Sequence, residues 1–315
     1  VAAMFDKIIT IALNPSIDVT LWPETYDCCE PNRCSREKVY PGGKSVNVTR
    51  VLKSLGIPAH LIGIAGRENI DLLRGLLDRD GIDYRLLETA GAVRENITVI
   101  TPDRRAFTVN RQGIPIEKQA WDQLFISVQK ELVPDGENLV VFAGSLPPNI
   151  SAAEYKRLIL SIRRPNVKIA LDTDFFSFSQ IREIAPFVIK PNMKEAENIL
   201  SRSGITARDA FGAASLLAEA AEHVLLSMGA QGICYHHRQE GLRVRVPAVA
   251  VSSTVGAGDT ALAGFLAMIQ QGKTLPDSFR YAAACSCASV TLEGTQAVTK
   301  VIASRYLTQI QTTKL

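Results

Sequence analysis

Apolar runs of strand length recur along the chain at Ile8–Leu13, Ala59–Ala65, Leu139–Phe142, Val167–Leu171, Phe187–Ile189 and His223–Ser227. Between them the apolar positions take helical spacing, which predicts helices over Ser45–Leu55, Ile70–Arg79, Lys118–Leu132, Ala152–Ile162, Lys194–Leu200 and Ala207–Ala221. Near-continuous apolar strands alternating with amphipathic helices indicate an α/β fold, with a largely parallel sheet flanked by helices on both faces. The C-terminal part reads differently, as helices over Ala257–Gln271, Pro276–Leu292 and Ile302–Ile310. Four short polar-alternating pieces interrupt the early βα rhythm: Asp18–Trp22, Ser35–Tyr40, Asn96–Ile100 and Ala106–Asn110. Such alternation predicts a small, half-exposed antiparallel sheet, expected to lie across the main body as a lid with strands within about 16–40 and 95–111. No repeat and no linker is visible, so residues 1–315 read as one domain.

Composition narrows the classes. Of 315 residues, 46% are hydrophobic and 21% charged, with ordinary glycine and proline usage, which excludes a collagenous or disordered chain. The 35 basic and 32 acidic residues leave +3 without a run of one sign. A nucleic-acid or membrane-surface protein would carry a basic stripe, so neither partner is expected. No window approaches the ~18 uncharged apolar residues of a membrane helix. Val1–Leu13 carries Asp6 and Lys7 and lacks the pattern of a signal peptide, and Val1–Ala3 ahead of Met4 read as an appended remnant. The six cysteines are too sparse for a disulfide framework. Cys28, Cys29 and Cys34 have no C-x-x-C pair or histidine cluster with them, so they are read as free thiols rather than metal ligands. A cytoplasmic location is expected.

Two glycine-rich segments carry the chemistry. Pro41-Gly42-Gly43-Lys44-Ser45-Val46-Asn47 contains Gly-Lys-Ser, but a P-loop needs glycine where Lys38 stands and a strand leading directly into the turn. What remains is a Gly-Gly turn running into a helix, whose first-turn amides and Lys44 suit an anion or polyol. Thr254-Val255-Gly256-Ala257-Gly258-Asp259 formally fits the dinucleotide pattern, yet no strand or suitably placed acid follows it. That argues against an NAD-type oxidoreductase. Amides at a helix start beside a first-turn aspartate suit phosphoryl transfer instead, with backbone donors stabilising charge and the carboxylate taking the attacking hydroxyl's proton.

Gly-Gly-Lys-x-x-Asn at 42–47 and Val-Gly-Ala-Gly-Asp at 255–259 resemble the two signatures of the ribokinase-like, PfkB-type carbohydrate kinases. The resemblance runs from Asn14 to about Gly294, and Leu13-Asn14-Pro15-Ser16-Ile17-Asp18 resembles the branch of 1-phosphofructokinases and tagatose-6-phosphate kinases. It implies a ribokinase-like fold and ATP with Mg²⁺. It also implies ATP-dependent phosphorylation of a ketose phosphate: fructose 1-phosphate or tagatose 6-phosphate to the corresponding 1,6-bisphosphate. Asp259 is then the base and Gly256, Ala257 and Gly258 the anion hole. Asp18, Gly42, Gly43, Lys44, Asn47, Arg94 and Ser145 (in Gly144-Ser145-Leu146-Pro147) become substrate contacts, with Lys44 and Arg94 on the existing phosphate. On the nucleotide side, Lys190-Pro191-Asn192-Met193-Lys194-Glu195 matches an element that implies Lys190, Asn192 and Glu195, the latter two near Mg²⁺ through water. Ser227, Gly229, Gly232 and Thr254 complete the nucleotide contacts. A homodimer joined through the lid is implied as well.

The chain departs from the family pattern at Ser45, Asn149, Arg111, Glu68-Asn69 and Asp172–Phe176, which bears on sugar identity rather than on the base. Asp172 and Asp174 read as strand-end caps of the next turn, and the four histidines show no ligand spacing. Two further readings stay open: a kinase of the same fold acting on an unphosphorylated sugar or nucleoside, and a non-catalytic sugar-phosphate-binding relative.

Overall fold

The computed structural model describes residues 3–238 and 240–315; Val1 and Ala2 of the expected remnant lie outside them. In chain order the strands are β1 Lys7–Ala12, β2 Ser16–Pro23, β3 Cys34–Gly42, β4 His60–Gly66, β5 Asp83–Thr89, β6 Arg94–Ile100 and β7 Ala106–Asn110. They continue as β8 Asn138–Ala143, β9 Val167–Asp172, β10 Val188–Ile189, β11 His223–Ser227, β12 Ile233–His237, β13 Glu240–Arg245 and β14 Gln311–Lys314. The helices are α1 Lys44–Ser54, α2 Ile70–Arg79, α3 Lys118–Glu131, α4 Ala152–Ser161, α5 Phe178–Ile184, α6 Met193–Ser201, α7 Ala210–Leu217, α8 Ala257–Gln270, α9 Leu275–Ser289 and α10 Lys300–Leu307.

Ten strands form one sheet in the order β14-β13-β12-β11-β10-β9-β8-β1-β4-β5. From β11 to β5 every pairing is parallel, while β12, β13 and β14 extend one edge antiparallel. Parallel strands are covered on both faces, so successive side chains enter opposite helix layers. Ile9, Ile11, Val140 and Phe142 pack with Leu124, Tyr155, Ile181, Ile199 and Ala213 of α3–α7. Ile8, Leu139 and Val141 pack with Val48, Leu52, Leu262, Phe279 and Ala303 of α1 and α8–α10. Each such Leu, Ile, Val or Phe contributes about 1.5–3 kcal/mol on burial, which is why the strands read as unbroken apolar runs.

A second sheet has the order β3-β2-β6-β7. Its β2–β6 pairing is parallel, where sequence alternation predicts antiparallel strands throughout. The chain leaves β3 for α1, β4, α2 and β5 of the main sheet before returning as β6, so β6 lies beside β2 in the same direction. Ile17, Val46, Ile70, Leu73 and Val93 form the core beneath it. Three further elements differ from the sequence reading. β5 is an edge strand with polar alternation and shows no apolar run; β12 is short and buried through Ile233, Cys234 and Tyr235, β13 alternates and β14 is polar. The predicted helix at Ile302–Ile310 is Lys300–Leu307, followed by the edge strand β14.

Candidate active site

A cavity of about 1260 Å³ opens at the carboxyl ends of the central strands, beneath the small sheet. Ligands of open α/β sheets sit at that end, where neighbouring crossovers diverge. Here β1 has its neighbours β4 and β8 on opposite sides. The strand ends deliver Asn14 after β1, Gly144-Ser145 after β8, Asp172 on β9, Lys190 after β10 and Ser227 on β11. Every site residue expected from the sequence lines this cavity except Gly42, which lies directly behind Asp18.

One end is built by the small sheet. Register places Ser16 opposite Arg94 and Asp18 opposite Asn96. Ser16 Oγ and Asn96 Nδ2 donate to Asp18 Oδ1 at 2.7 and 2.8 Å. Burial pushes the Asp18 carboxyl up, against the opposing effect of those hydrogen bonds and of Arg94. A Cβ at Gly42 would stand 2.2 Å from the Asp18 carboxyl carbon, so only glycine lets β3 pass there. Arg94 donates from Nε to Asn14 O (3.3 Å) and from Nη1 to Arg111 O (2.9 Å), which aims the guanidinium into the cavity. Among the described residues Nη2 has no hydrogen-bond partner. Burial lowers the guanidinium's proton affinity, and the nearby Asp18 carboxyl offsets only part of that.

The strand ends hold a charged cluster. Asp172 is fully buried, with Lys44 Nζ 3.0 Å from Oδ1 and Lys190 Nζ 3.3 Å from Oδ2. Lys44 Nζ also lies 3.1 Å from Glu195 Oε1. Burial opposes ionisation of Asp172, but Lys190 and Lys44 outweigh it and hold the carboxyl below its ordinary value. Burial likewise disfavours the Lys44 cation, and Asp172, Glu195 and Asp259 together overcome this and raise it. Gly256 takes the left-handed conformation (φ 76°) and opens α8, whose first-turn amides have no carbonyl to bond within the helix. Asp259 sits in that turn, buried, and accepts a hydrogen bond from Asn47 Nδ2 at 2.8 Å. Burial and the charge of Asp172 raise its carboxyl to about 6. Asn47 Oδ1 is buried without a partner among the described residues, leaving an acceptor next to the carboxylate.

Asn192 caps α6. Its Oδ1 accepts from Glu195 N, and its own N–H donates to Glu195 Oε2, both at 2.9 Å. One carboxylate and one amide facing a cavity do not make an all-protein cage. They do suit a hard cation that keeps its waters and binds with nucleotide phosphates. Ser227 bridges Asn192 in the backbone, and Gly229 opens the short turn Gly229–Gln231 beside it.

Several sequence expectations are corrected. Asp172 is not a turn cap but the buried counterion of both site lysines; a strand-end aspartate alone carries no signal of distant partners. Lys44, expected on the substrate's existing phosphate, pairs with Asp172 and Glu195 in the structure. A strand does lead directly into the Gly42–Gly43 turn, but it is β3 of the small sheet, so no P-loop results. Asn96 had no motif to reveal it; its place follows from the β2–β6 register. The departures at Ser45, Asn149 and Asn69 have structural explanations. The single hydroxyl proton of Ser45 is shared between Ile11 O (2.5 Å) and Ala143 O (2.9 Å), and its Oγ accepts from Ala143 N (3.2 Å), tying the ends of β1 and β8 to α1. Asn149 clamps both backbone groups of Ile116, and Asn69 those of Val93.

The pattern of the pfkB family carbohydrate kinases matches residues 12–301. The chain is 31% identical over 292 residues to a 1-phosphofructokinase of Vibrio cholerae, covering 92% of each chain. It is 28% identical over 309 residues to a 1-phosphofructokinase of Bacillus subtilis, covering 98% of this chain and all of that one. Phosphofructokinase-2 from Escherichia coli, solved with substrates and products, shares the fold with a TM-score of 0.87 at 23% identity, over 96% of this chain and 99% of that one. No helix among the described residues is long and apolar enough to cross a membrane. With its fold, the alignment over nearly its whole length and a buried carboxylate beside backbone donors in one cavity, the chain belongs to the pfkB family and is an ATP-dependent carbohydrate kinase of ribokinase-like α/β fold.

Proposed function

We propose that this chain phosphorylates a ketose phosphate, fructose 1-phosphate to fructose 1,6-bisphosphate, as a single kinase domain working in the cytoplasm. The observation that carries the reading is Arg94, an underpaired guanidinium beside Asp18 that lines the same cavity as Asp259. A sugar hydroxyl offers this half-buried cation only a neutral acceptor; a phosphate brings the compensating charge and several oxygens to accept from its free N–H groups. The names of the curated relatives support the same choice.

In this reading Asp18 and Asn47 orient sugar hydroxyls, Gly42, Gly43 and Ser145 shape their pocket, and Arg94 holds the existing phosphate. Asp259 accepts the proton of the attacking hydroxyl. The amides of Gly256, Ala257 and Gly258, with Lys44, stabilise the transferring phosphoryl group. Lys190, Ser227, Gly229, Gly232 and Thr254 border the nucleotide. Mg²⁺ bound with ATP supplies charge neutralisation on the phosphates, and Glu195 and Asn192 are the residues that would face it through water. The small sheet acts as lid. Its edge strand β7 exposes Phe107 and Val109 on one face, which supports a homodimer formed there.

An ADP-release assay across fructose 1-phosphate, fructose 6-phosphate, tagatose 6-phosphate, fructose and a nucleoside tests the assignment. Highest kcat/KM on fructose 1-phosphate is expected. Preference for an unphosphorylated acceptor, or binding without turnover, would sink it. Light scattering should give twice the 34.3 kDa chain mass.

A further inference from the structure

The loop joining β2 to β3 carries a cluster the kinase chemistry does not use. Cys28 and Cys29 are both exposed, and their sulfurs lie 3.6 Å apart. A carboxylate oxygen of Asp27 joins them in a group whose ligand atoms all lie within 4.8 Å of one another. Asp27 is turned over the pair: its Oδ1 accepts from Cys29 N at 2.8 Å. Asn32 holds the loop shut by accepting from Asp27 N (2.8 Å) and donating to Asp27 O (2.7 Å) and Glu30 O (3.0 Å). Cys34 is outside the group, its Sγ directed at Arg36 O (2.9 Å).

A tetrahedral cation with metal–sulfur bonds of about 2.3 Å sets its two sulfurs about 3.8 Å apart. The observed 3.6 Å therefore fits without rearrangement of the thiol pair. An S₂O donor set selects a borderline-soft d¹⁰ ion over Mg²⁺ or Ca²⁺, which take oxygen. The loop has neither a C-x-x-C pair nor a histidine cluster, so its cysteines read from the sequence as free thiols. Spacing is one way of bringing two thiolates together, and this loop does it with adjacent residues and a folded-back aspartate.

We propose that Asp27, Cys28 and Cys29 form a surface site for a zinc-class divalent cation, with solvent in the fourth position. Binding forms two metal–thiolate bonds and one metal–carboxylate bond, and the two thiol protons leave to solvent. Affinity therefore tightens as pH rises. The loop connects the strand bearing Asp18 to the strand leading into Gly42, so the ion would brace the lid hairpin at a distance from the reacting groups.

The test uses the full chain, reduced and stripped of metal, titrated with Zn²⁺ against a chromophoric indicator and with Cd²⁺ followed by thiolate charge-transfer absorption. One equivalent should bind with two protons released, and Tm should rise with Zn²⁺. Cys28→Ser and Cys29→Ser should each weaken binding by roughly tenfold or more and remove the Cd²⁺ band, Asp27→Asn less so, and Cys34→Ser not at all. All four residues are exposed, so Tm in chelator should match the parent and separate lost ligation from misfolding. No bound equivalent in the parent chain, or equal binding by Cys28→Ser and Cys29→Ser, overturns the proposal. Loss with Cys34→Ser alone does so too.

Discussion

Replacing Asp259 by Asn should separate activity from stability in opposite directions. The side chain is buried, and burial together with the charge of Asp172 raises its carboxyl from 3.8 to about 6. A shift of that size corresponds to about 2–3 kcal/mol of cost for keeping the anion in the fold. Between the two values the folded chain holds a proton that the unfolded chain has lost, so stability falls as pH rises through that window and the full cost applies above it. Asn removes the charge and keeps an oxygen to accept from Asn47 Nδ2. The variant should therefore unfold at higher temperature than the parent at pH 8 and match it near pH 4. The same change removes the base, at a typical cost of ~10²–10⁴ in kcat. The parent's kcat/KM should climb with pH through about 6, because the free enzyme's base must be deprotonated. Thermal unfolding at the two pH values and steady-state ADP release read both effects. Near-full kcat in Asp259→Asn would refute the base assignment. An equal stability gain at pH 4 and pH 8 would refute the electrostatic argument.

Arg94→Gln should raise KM for a phosphorylated acceptor by roughly 10–100-fold at near-constant kcat, from the ~1.5–3 kcal/mol of a charged hydrogen bond, with little effect on an unphosphorylated sugar. Gly42→Ala forces a Cβ against the Asp18 carboxyl, so acceptor KM should rise by about tenfold while ATP KM holds, both read by initial rates. Asp172→Asn leaves Lys44 and Lys190 without their shared counterion and should destabilise the chain by about 3–5 kcal/mol in denaturant titration. It also removes an anion that raises Asp259, so the pH profile of the residual activity should move to lower pH.

How much of this was legible in advance depended on the range of the interaction. The core strands β1, β4, β8, β9 and β11 were visible as apolar runs because both their faces are buried. The edge strands β5 and β14 were not, because a half-solvated strand needs no such run. The α6 helix was visible from its periodicity, though its cap by Asn192 and Glu195 was not singled out. The pairing of Asp172 with Lys44 spans 128 residues and could not be read from the sequence.

The local sequence by itself determined the two-faced sheet, the glycine turns at 42–43 and 256–258, and the first-turn position of Asp259. These follow from side-chain periodicity and from backbone freedom, which act between near neighbours. Tertiary structure alone decided that the β2–β6 pairing is parallel, setting Arg94 and Asn96 beside Asp18. It decided that Asp172 holds two lysines in place, and that the charge on Asp259 is costly enough to raise its carboxyl to about 6. Register, burial and the Coulomb field depend on which distant strand ends meet, and that is settled only when the whole sheet has closed around them.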